Sequence, residues 1–130
     1  MIEFRLNPRS GVSTYLQIVH QVRHALRLGM LRPGDQLPTV KEVVASLAIN
    51  PNTVLKSYRE LEHEGLVEGR PGQGTFILHT LGGPPSGNQA ALRRSLERWI
   101  RGALEAGLDA DDVIALFETT LRNAQEEGVA

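Results

Sequence analysis

The stretch NPNTVLKSYRELEHEG, residues 50–65, decides the fold class of this chain because it predicts a helix with an unusual distribution of charge. Asn50 is a favourable N-cap, Pro51 occupies the first helical position, where its missing N–H costs nothing, and Gly65 ends the helical pattern. The apolar side chains that recur at helical spacing and are predicted to face a core are Val54, Tyr58 and Leu61.

The polar face of this helix separates basic from acidic residues. Asn52, Lys56 and Arg59 form one outward stripe at spacings of four and three. Thr53 and Ser57 add short hydrogen-bonding groups beside it. The acidic residues follow only at the far end, and they are Glu60, Glu62 and Glu64. An acid-free start is typical of a helix that meets DNA, because asparagine pairs with adenine while lysine and arginine pair with guanine or phosphate.

Taken alone, the stripe is better explained as the solvated face of an ordinary helix, so the neighbouring segments decide. Apolar residues at helical spacing predict a first helix that starts near Ser13 and stops at Gly29. Thr39 and Glu42 form a capping box for a second helix, and only AIN separates it from the third. The β-prone pieces GLVEG and GTFIL then flank RPGQG, residues 70–74, which predicts a hairpin with a loop of about five residues. This order indicates a mainly α fold with a small β-hairpin, a winged helix-turn-helix.

The composition excludes several classes of site. The 130 residues include no cysteine, which rules out disulfides, thiolate catalysis and cysteine-ligated zinc. No apolar run approaches the length of a membrane span, and the first residues lack the apolar stretch of a signal peptide. We therefore expect a soluble protein of the cytoplasm with no membrane partner.

The charge balance differs between two parts of the chain, although the net charge is only −1. Up to His79 there are nine Lys and Arg against seven Asp and Glu, a balance of +2, and from Thr80 onward five against eight, a balance of −3. The strength of phosphate binding depends on the basic residues that contact phosphates and not on the total charge of the protein. Binding to nucleic acid therefore requires that these basic residues lie together on one surface.

The stretch LGGPPSGN, residues 81–88, breaks all periodicity and is interpreted as a linker. It separates a winged helix-turn-helix domain, residues 1–80, from a C-terminal region, residues 89–130, that is predicted to form two helices. Asp109 caps the second of these helices, and Leu108 and Val113 form a hydrophobic staple. Two helices cannot cover two apolar faces by themselves, so they pack on the first domain, on another subunit, or on both. We expect a homodimer, and the residues predicted to form its interface are Leu92, Leu96, Trp99, Ile100, Phe117 and Leu121.

Residues 33–77 carry the motifs PGDxLP, NPNTV, YRELExEGL and GxGTF. These motifs resemble the DNA-binding domain of the GntR family of bacterial transcription regulators, and the whole chain resembles the short YtrA-type subfamily. The resemblance implies a homodimer that binds a near-palindromic operator in double-stranded DNA and represses transcription. The residues that it places at the DNA are Lys41, Asn50, Asn52, Thr53, Lys56, Tyr58, Arg59, Arg70 and Gly72.

Two positions depart from the family pattern. Lys41 stands where the family usually has arginine, and because lysine cannot form a bidentate fork, a phosphate contact is favoured there over a base contact. Pro71 stiffens the tip of the hairpin, next to Gly72, whose lack of a side chain allows a close approach of backbone to DNA.

No catalytic or cofactor motif is present, so we expect neither an enzyme nor a cofactor. GRPGQG lacks the Lys-Ser/Thr pair of a phosphate loop, and no HExxH sequence occurs. His20 and His24 lie one turn apart on the first helix, but no third ligand is spaced to join them, so we expect no metal.

Two alternatives concern partners. About forty residues follow the linker, too few for an enclosed effector cavity in one subunit. A pocket between subunits could be lined by Trp99 and Phe117, although we expect both to belong to the interface core, and no effector is assigned. The alternative to DNA binding is a winged-helix module that docks a protein or RNA; a protein-docking face would carry apolar residues on the exposed stripe.

Overall fold

The computed structural model describes residues 1–82 and 88–128, and these belong to two separate compact units. The first unit contains three helices and two strands in the order of a winged helix-turn-helix, and the second contains two helices. The elements are α1 (Thr14–Arg27), α2 (Val40–Leu47), α3 (Pro51–His63), β1 (Val67–Arg70), β2 (Gly74–Ile77), α4 (Asn88–Glu105) and α5 (Ala110–Gly128).

The core of the first unit is built mainly from one face of α1 and one face of α3. Ile18, Val22 and Leu26 of α1 are fully buried. The stripe predicted for α3 is confirmed, because its three side chains all lie in the same core cluster. The removal of these apolar side chains from water stabilises the packing of α1 against α3.

The predicted boundaries of α2 and α3 are confirmed by their caps. The Thr39 hydroxyl accepts from the Glu42 N–H at 3.1 Å, and the Glu42 carboxylate accepts from the Thr39 N–H at 3.4 Å, which completes the capping box. Asn50 Oδ1 accepts from the N–H of Asn52 at 2.8 Å. After α3, Gly65 adopts φ +77°, which allows its N–H and that of Leu66 to return to carbonyls of the last turn.

The wing, which consists of β1, β2 and the loop between them, has a shorter loop than predicted. The loop has three residues rather than about five, because Arg70 and Gly74 already pair across the two strands. Pro71 followed by Gly72 at φ +73°, closed by the Gln73 N–H to the Arg70 carbonyl at 2.9 Å, has the residue order and φ sign of a type II turn.

A third segment of chain, residues 34–37, pairs with the outer edge of β2. The Leu37 N–H donates to the Thr75 carbonyl at 2.9 Å, and the Ile77 N–H donates to the Asp35 carbonyl at 2.8 Å. The loop between α1 and α2 therefore adds a third segment to the two strands of the wing, and no local signal in its sequence indicates this pairing.

The N-terminal residues form an extended segment along α1. The Gln21 side chain accepts from the Arg5 N–H at 2.9 Å and donates to its carbonyl at 2.6 Å. One turn earlier, the Gln17 side chain accepts from the Asn7 N–H at 2.7 Å and donates to the Asn7 carbonyl at 3.0 Å. Phe4, the residue before the first of these anchor points, is buried in the core. Two amides at i and i+4 thus bind this segment as a neighbouring strand would.

In the second unit, a short turn joins α4 to α5. Asp109 Oδ1 accepts from the Asp112 N–H at 2.8 Å, and Asp112 Oδ2 accepts from the Asp109 N–H at 3.1 Å, so Asp109 caps α5 as predicted. None of the residues described in α4 and α5 is buried.

Parts of the predicted linker are ordered elements of the two units. Leu81 packs against the core of the first unit, and Asn88 begins α4. Residues 83–87 of the predicted linker, and residues 129–130 of the predicted C-terminal region, lie outside the described residues.

Candidate nucleic-acid interface

The outward stripe of α3, Asn52, Lys56 and Arg59, is exposed along its whole length. The opposite face of the helix is fixed by Val54 and Leu61, both fully buried, so the orientation of the stripe is set by the core. The first turn of α3 holds no acidic residue, and its positive dipole end therefore acts without a nearby counter-charge. The arrangement can donate hydrogen bonds to a polyanion and read an adenine through Asn52.

Lys56 is held by an aromatic ring from another helix. Its Nζ lies 3.9 Å from the centroid of the Tyr15 ring, at the start of α1. A cation at this distance from a ring face is attracted to the negative charge of the π system. In the sequence, Tyr15 is one of the apolar residues whose helical spacing predicts the first helix. A tyrosine in the first turn of a helix does not by itself indicate a contact with another helix.

Ser57 is not part of the exposed face, and the prediction that it adds a hydrogen-bonding group there is wrong. Its side chain has no exposed surface, and its Oγ lies 2.9 Å from the Tyr15 carbonyl and 3.0 Å from the Thr53 carbonyl. A small hydroxyl is accommodated here because α1 and α3 approach closely, and a buried hydroxyl requires a partner. Ser57 therefore joins the two helices.

Tyr58 lies in the core and not at the surface. Only 6% of the residue is exposed, and its hydroxyl donates to the Pro38 carbonyl at 2.6 Å. Burial raises the pKa of the Tyr58 hydroxyl above its ordinary value, and the negative charge of Glu42 adds to this effect. The helical periodicity placed Tyr58 in the buried stripe, and this prediction is confirmed. The family resemblance implies that Tyr58 contacts DNA, but its side chain is not exposed.

The remaining residues predicted on α2 and at the start of α3 lie in different environments. Lys41 is exposed at the second position of α2, and Asn50 is exposed but uses its side-chain oxygen as the cap of α3. Thr53 is half-buried, and its backbone N–H donates to the Asn50 carbonyl at 3.0 Å.

The wing presents Arg70 and Gly72 at its exposed end. The guanidinium of Arg70 lies 4.4 Å above the Phe76 ring, and its Nε donates to Glu68 at 3.2 Å. Both contacts hold the stem of Arg70 against the hairpin. Gln36, from the third segment of the wing, donates to the Gln73 carbonyl at 3.2 Å and so supports the loop. Neither Phe76 nor Gln36 was identified from the sequence, because both act across pairings that only the fold creates.

The acidic end of α3 is engaged within the first unit. Glu64 forms an ion pair with Arg23 of α1, and the carboxylate of Glu62 lies beside Gly69 at the start of the wing. Both residues lie at the C-terminal end of α3, whereas its first turn holds no acidic residue.

Across residues 1–82 and 88–128, no three His, Asp or Glu side chains come close enough to hold a metal ion. No helix in these ranges combines the length and apolarity of a membrane span. Two open clefts, about 620 and 340 Å³, flank the N-terminal segment, and neither is lined by the outward stripe.

Comparison with known proteins agrees with this geometry. Residues 14–77 match the family described as bacterial regulatory proteins, gntR family. The HTH-type transcriptional repressor YtrA of Bacillus subtilis is 36% identical over 111 residues, which cover 82% of this chain and 83% of that protein.

Two solved structures share the fold over most of the chain. A transcriptional antiterminator from Listeria monocytogenes EGD-e is 28% identical, with a TM-score of 0.59 and coverage of 92% of this chain and 90% of that one. YtrA from Sulfolobus acidocaldarius, a GntR-family transcription factor, is 26% identical, with a TM-score of 0.54 and coverage of 75% and 97%. The chain belongs to the gntR family of bacterial regulatory proteins, as a transcriptional regulator of the short YtrA type with a winged helix-turn-helix DNA-binding domain.

Proposed function

We propose that this regulator is a homodimeric repressor in which α3 enters the major groove of a near-palindromic operator. The observation that carries the proposal is the exposed, acid-free stripe of Asn52, Lys56 and Arg59, whose orientation the buried face of the same helix fixes. A stripe of this chemistry matches base edges and phosphates. It offers no apolar surface for docking a protein, so the alternative of a protein-docking module has no support.

The stripe and its neighbours divide into two kinds of contact. Asn52, near the start of α3, is assigned to a base edge, because its amide can both donate to and accept from adenine. Lys41 and Lys56 are assigned to phosphates, because a single ammonium does not form the bidentate pair that identifies guanine most strongly. Arg59, one turn beyond Lys56, has the planar guanidinium that suits either contact. Asn50 and Thr53 lie beside the first turn and complete the proposed set on the helices.

The wing is assigned to the flanking backbone or minor groove. Arg70 supplies the charge, and the exposed Gly72 allows the loop to approach DNA without a side chain in between. The Phe76 ring and Glu68 limit the freedom of the Arg70 stem. Tyr58 is left out of the interface that we propose, because its hydroxyl is buried and already donates to Pro38.

The dimer is assigned to α4 and α5. The apolar side chains on these helices are largely uncovered, with 67% of Leu92, 41% of Trp99 and 47% of Phe117 exposed. Exposed apolar residues in such number along two adjacent helices mark an interface, and a two-fold axis lets one surface cover its own copy. Leu96, Ile100 and Leu121 complete the set proposed for this interface.

Repression is the consequence that we propose for operator binding, by analogy with the Bacillus subtilis relative, which is named a repressor. A dimer that occupies a promoter excludes other proteins from it without needing catalysis or a cofactor. Acting on chromosomal DNA, it would work in the cytoplasm.

Selection of bound fragments from a random DNA pool tests the proposal with the intact protein. We expect enrichment of an inverted repeat whose half-sites are centred about 34 Å apart, or a multiple of that spacing. A matched pair of variants then separates the contacts: Asn52→Ala should relax preference at one base position, and Lys41→Ala should weaken all sequences alike and lower the salt slope by about 1. Failure to enrich any sequence, or enrichment of a single asymmetric site, would contradict the dimeric operator complex.

A further inference from the structure

Two adjacent residues of α3, Lys56 and Ser57, both contact Tyr15 of α1. The Lys56 ammonium lies 3.9 Å from the centroid of the Tyr15 ring, and the Ser57 hydroxyl donates to the Tyr15 carbonyl at 2.9 Å. The two contacts use different parts of Tyr15. The serine bond involves only its backbone, whereas the lysine contact involves only its side chain.

The consequence of the backbone bond is a fixed distance between the start of α1 and the middle of α3. The Ser57 side chain is fully buried, and because the bond uses the backbone of Tyr15, it does not depend on which side chain stands at residue 15. Substituting the Tyr15 side chain therefore leaves in place the bond that joins the helices. The ring contact can be removed separately from the packing of the recognition helix.

The consequence of the ring contact is a restricted lysine. A lysine side chain has many rotamers, and it loses this freedom when its ammonium binds a phosphate. Lys56 is exposed, yet the Tyr15 ring occupies one side of its ammonium. The N–H groups of the ammonium that do not face the ring remain available to a phosphate.

We propose that Tyr15 is a positioning residue for DNA binding, whose ring holds the Lys56 ammonium ready for a phosphate contact before DNA arrives. The inference rests on the proposed role of the outward stripe, because without a phosphate partner for Lys56 there is nothing to position. Ordering a charged group in advance lowers the entropy lost on binding. The ring contact also favours a phosphate contact over a base contact for Lys56, because the ring keeps the ammonium close to the body of the protein.

The test is a double-mutant cycle on the full-length protein with the operator obtained by selection. Tyr15→Leu should weaken operator binding by about two- to fivefold, the range expected for an exposed cation–π contact. In a Lys56→Ala background the same substitution should have no further effect, because the group that the ring positions is gone. The salt slope of Tyr15→Leu should fall towards that of Lys56→Ala.

Two controls separate positioning from a general structural role. Tyr15→Phe keeps the ring and should bind like the parent; if it is as weak as Tyr15→Leu, the hydroxyl is responsible and the inference is overturned. Arg59→Ala combined with Tyr15→Leu should be additive, because Arg59 makes no contact with the ring among those observed. Coupling of Tyr15 to Arg59 as strong as its coupling to Lys56 would indicate a displaced helix instead.

A direct measurement does not depend on the stability of any variant. In the free parent protein, the ε-methylene protons of Lys56 should show an upfield ring-current shift by NMR, retained in Tyr15→Phe; an ordinary shift overturns the inference. If Lys56→Ala binds the operator like the parent, both the phosphate assignment of Lys56 and the positioning role of Tyr15 are wrong. If Lys56→Ala is weak while Tyr15→Leu binds like the parent, only the positioning role is wrong.

Discussion

Replacing Tyr58 by phenylalanine should lower stability without weakening DNA binding, because the structure makes this residue a core tyrosine. The substitution keeps the ring and removes one buried hydroxyl, which donates to the Pro38 carbonyl at 2.6 Å. The loss of a buried hydrogen bond, with an acceptor left behind, costs about 1–2 kcal/mol at neutral pH. Operator affinity, measured well below the unfolding temperature of both proteins, should match that of the parent.

The pH dependence of this difference gives a sharper test. Burial and Glu42 raise the pKa of Tyr58 in the folded protein, whereas in the unfolded chain the hydroxyl ionises near pH 10. A group whose folded pKa is raised contributes stability that is fully present below the unfolded pKa and is lost as the pH rises above it. The parent should therefore lose up to about 1.4 kcal/mol per pH unit above pH 10 through this residue, and Tyr58→Phe should not.

Urea unfolding of the two proteins at several pH values measures this difference, since all other titrating groups are shared and cancel. The advantage of the parent, about 1–2 kcal/mol at neutral pH, should shrink to near zero by about pH 11. A difference that stays constant from neutral pH to that point would refute the buried, neutral hydroxyl. A loss of operator binding by folded Tyr58→Phe would restore Tyr58 to the interface.

Three further changes probe the wing, the interface and the recognition helix. In Gly74→Ala the new Cβ would lie 2.5 Å from Gln36 Nε2, which would displace the Gln36 side chain from the Gln73 carbonyl, and the backbone is at φ +127°. Thermal unfolding should therefore show a loss above the roughly 1 kcal/mol of strain expected for the control Gly72→Ala, at φ +73° with nothing within 4 Å of its Cβ; equal losses would show that neither the Gln36 contact nor the larger φ adds to the cost. Trp99→Ala should raise the dimer dissociation constant at least about thirtyfold, or about 2 kcal/mol, in sedimentation equilibrium, and an unchanged constant would place the interface elsewhere. Asn52→Ala should lose about 1–3 kcal/mol on the selected operator and far less on an operator altered at the base pair it reads; equal losses on both would assign Asn52 to the backbone.

Local signals in the sequence were sufficient for the helices of the first unit. The capping box of Thr39 and Glu42 and the cap at Asn50 are interactions between residues a few positions apart, so the order of the residues alone predicts them. The same holds for the exposed stripe, because periodicity places Asn52 and Lys56 opposite the buried Val54.

Contacts between distant parts of the chain could not be predicted in this way. Ser57 has the size and polarity of a surface residue, and only the close approach of α1 makes its hydroxyl a buried link to Tyr15. Gln17 and Gln21 are ordinary helix residues until an extended segment lies beside them and uses their amides. The wing loop was overestimated because RPGQG contains two residues, Arg70 and Gly74, whose pairing depends on strand register and not on composition.

The pairing of residues 34–37 with β2 gives the wing an anchor in a part of the chain that precedes both helices of the helix-turn-helix. The Leu37 N–H bonds to the Thr75 carbonyl and the Ile77 N–H to the Asp35 carbonyl, so each bond joins distant positions of the chain. The hairpin cannot detach from the folded helices unless both bonds break. We expect these two amides to exchange with solvent only through global unfolding, while the amides of the loop exchange by local opening. The wing then unfolds together with the helices as one cooperative unit, and its freedom to adjust to DNA is confined to the loop.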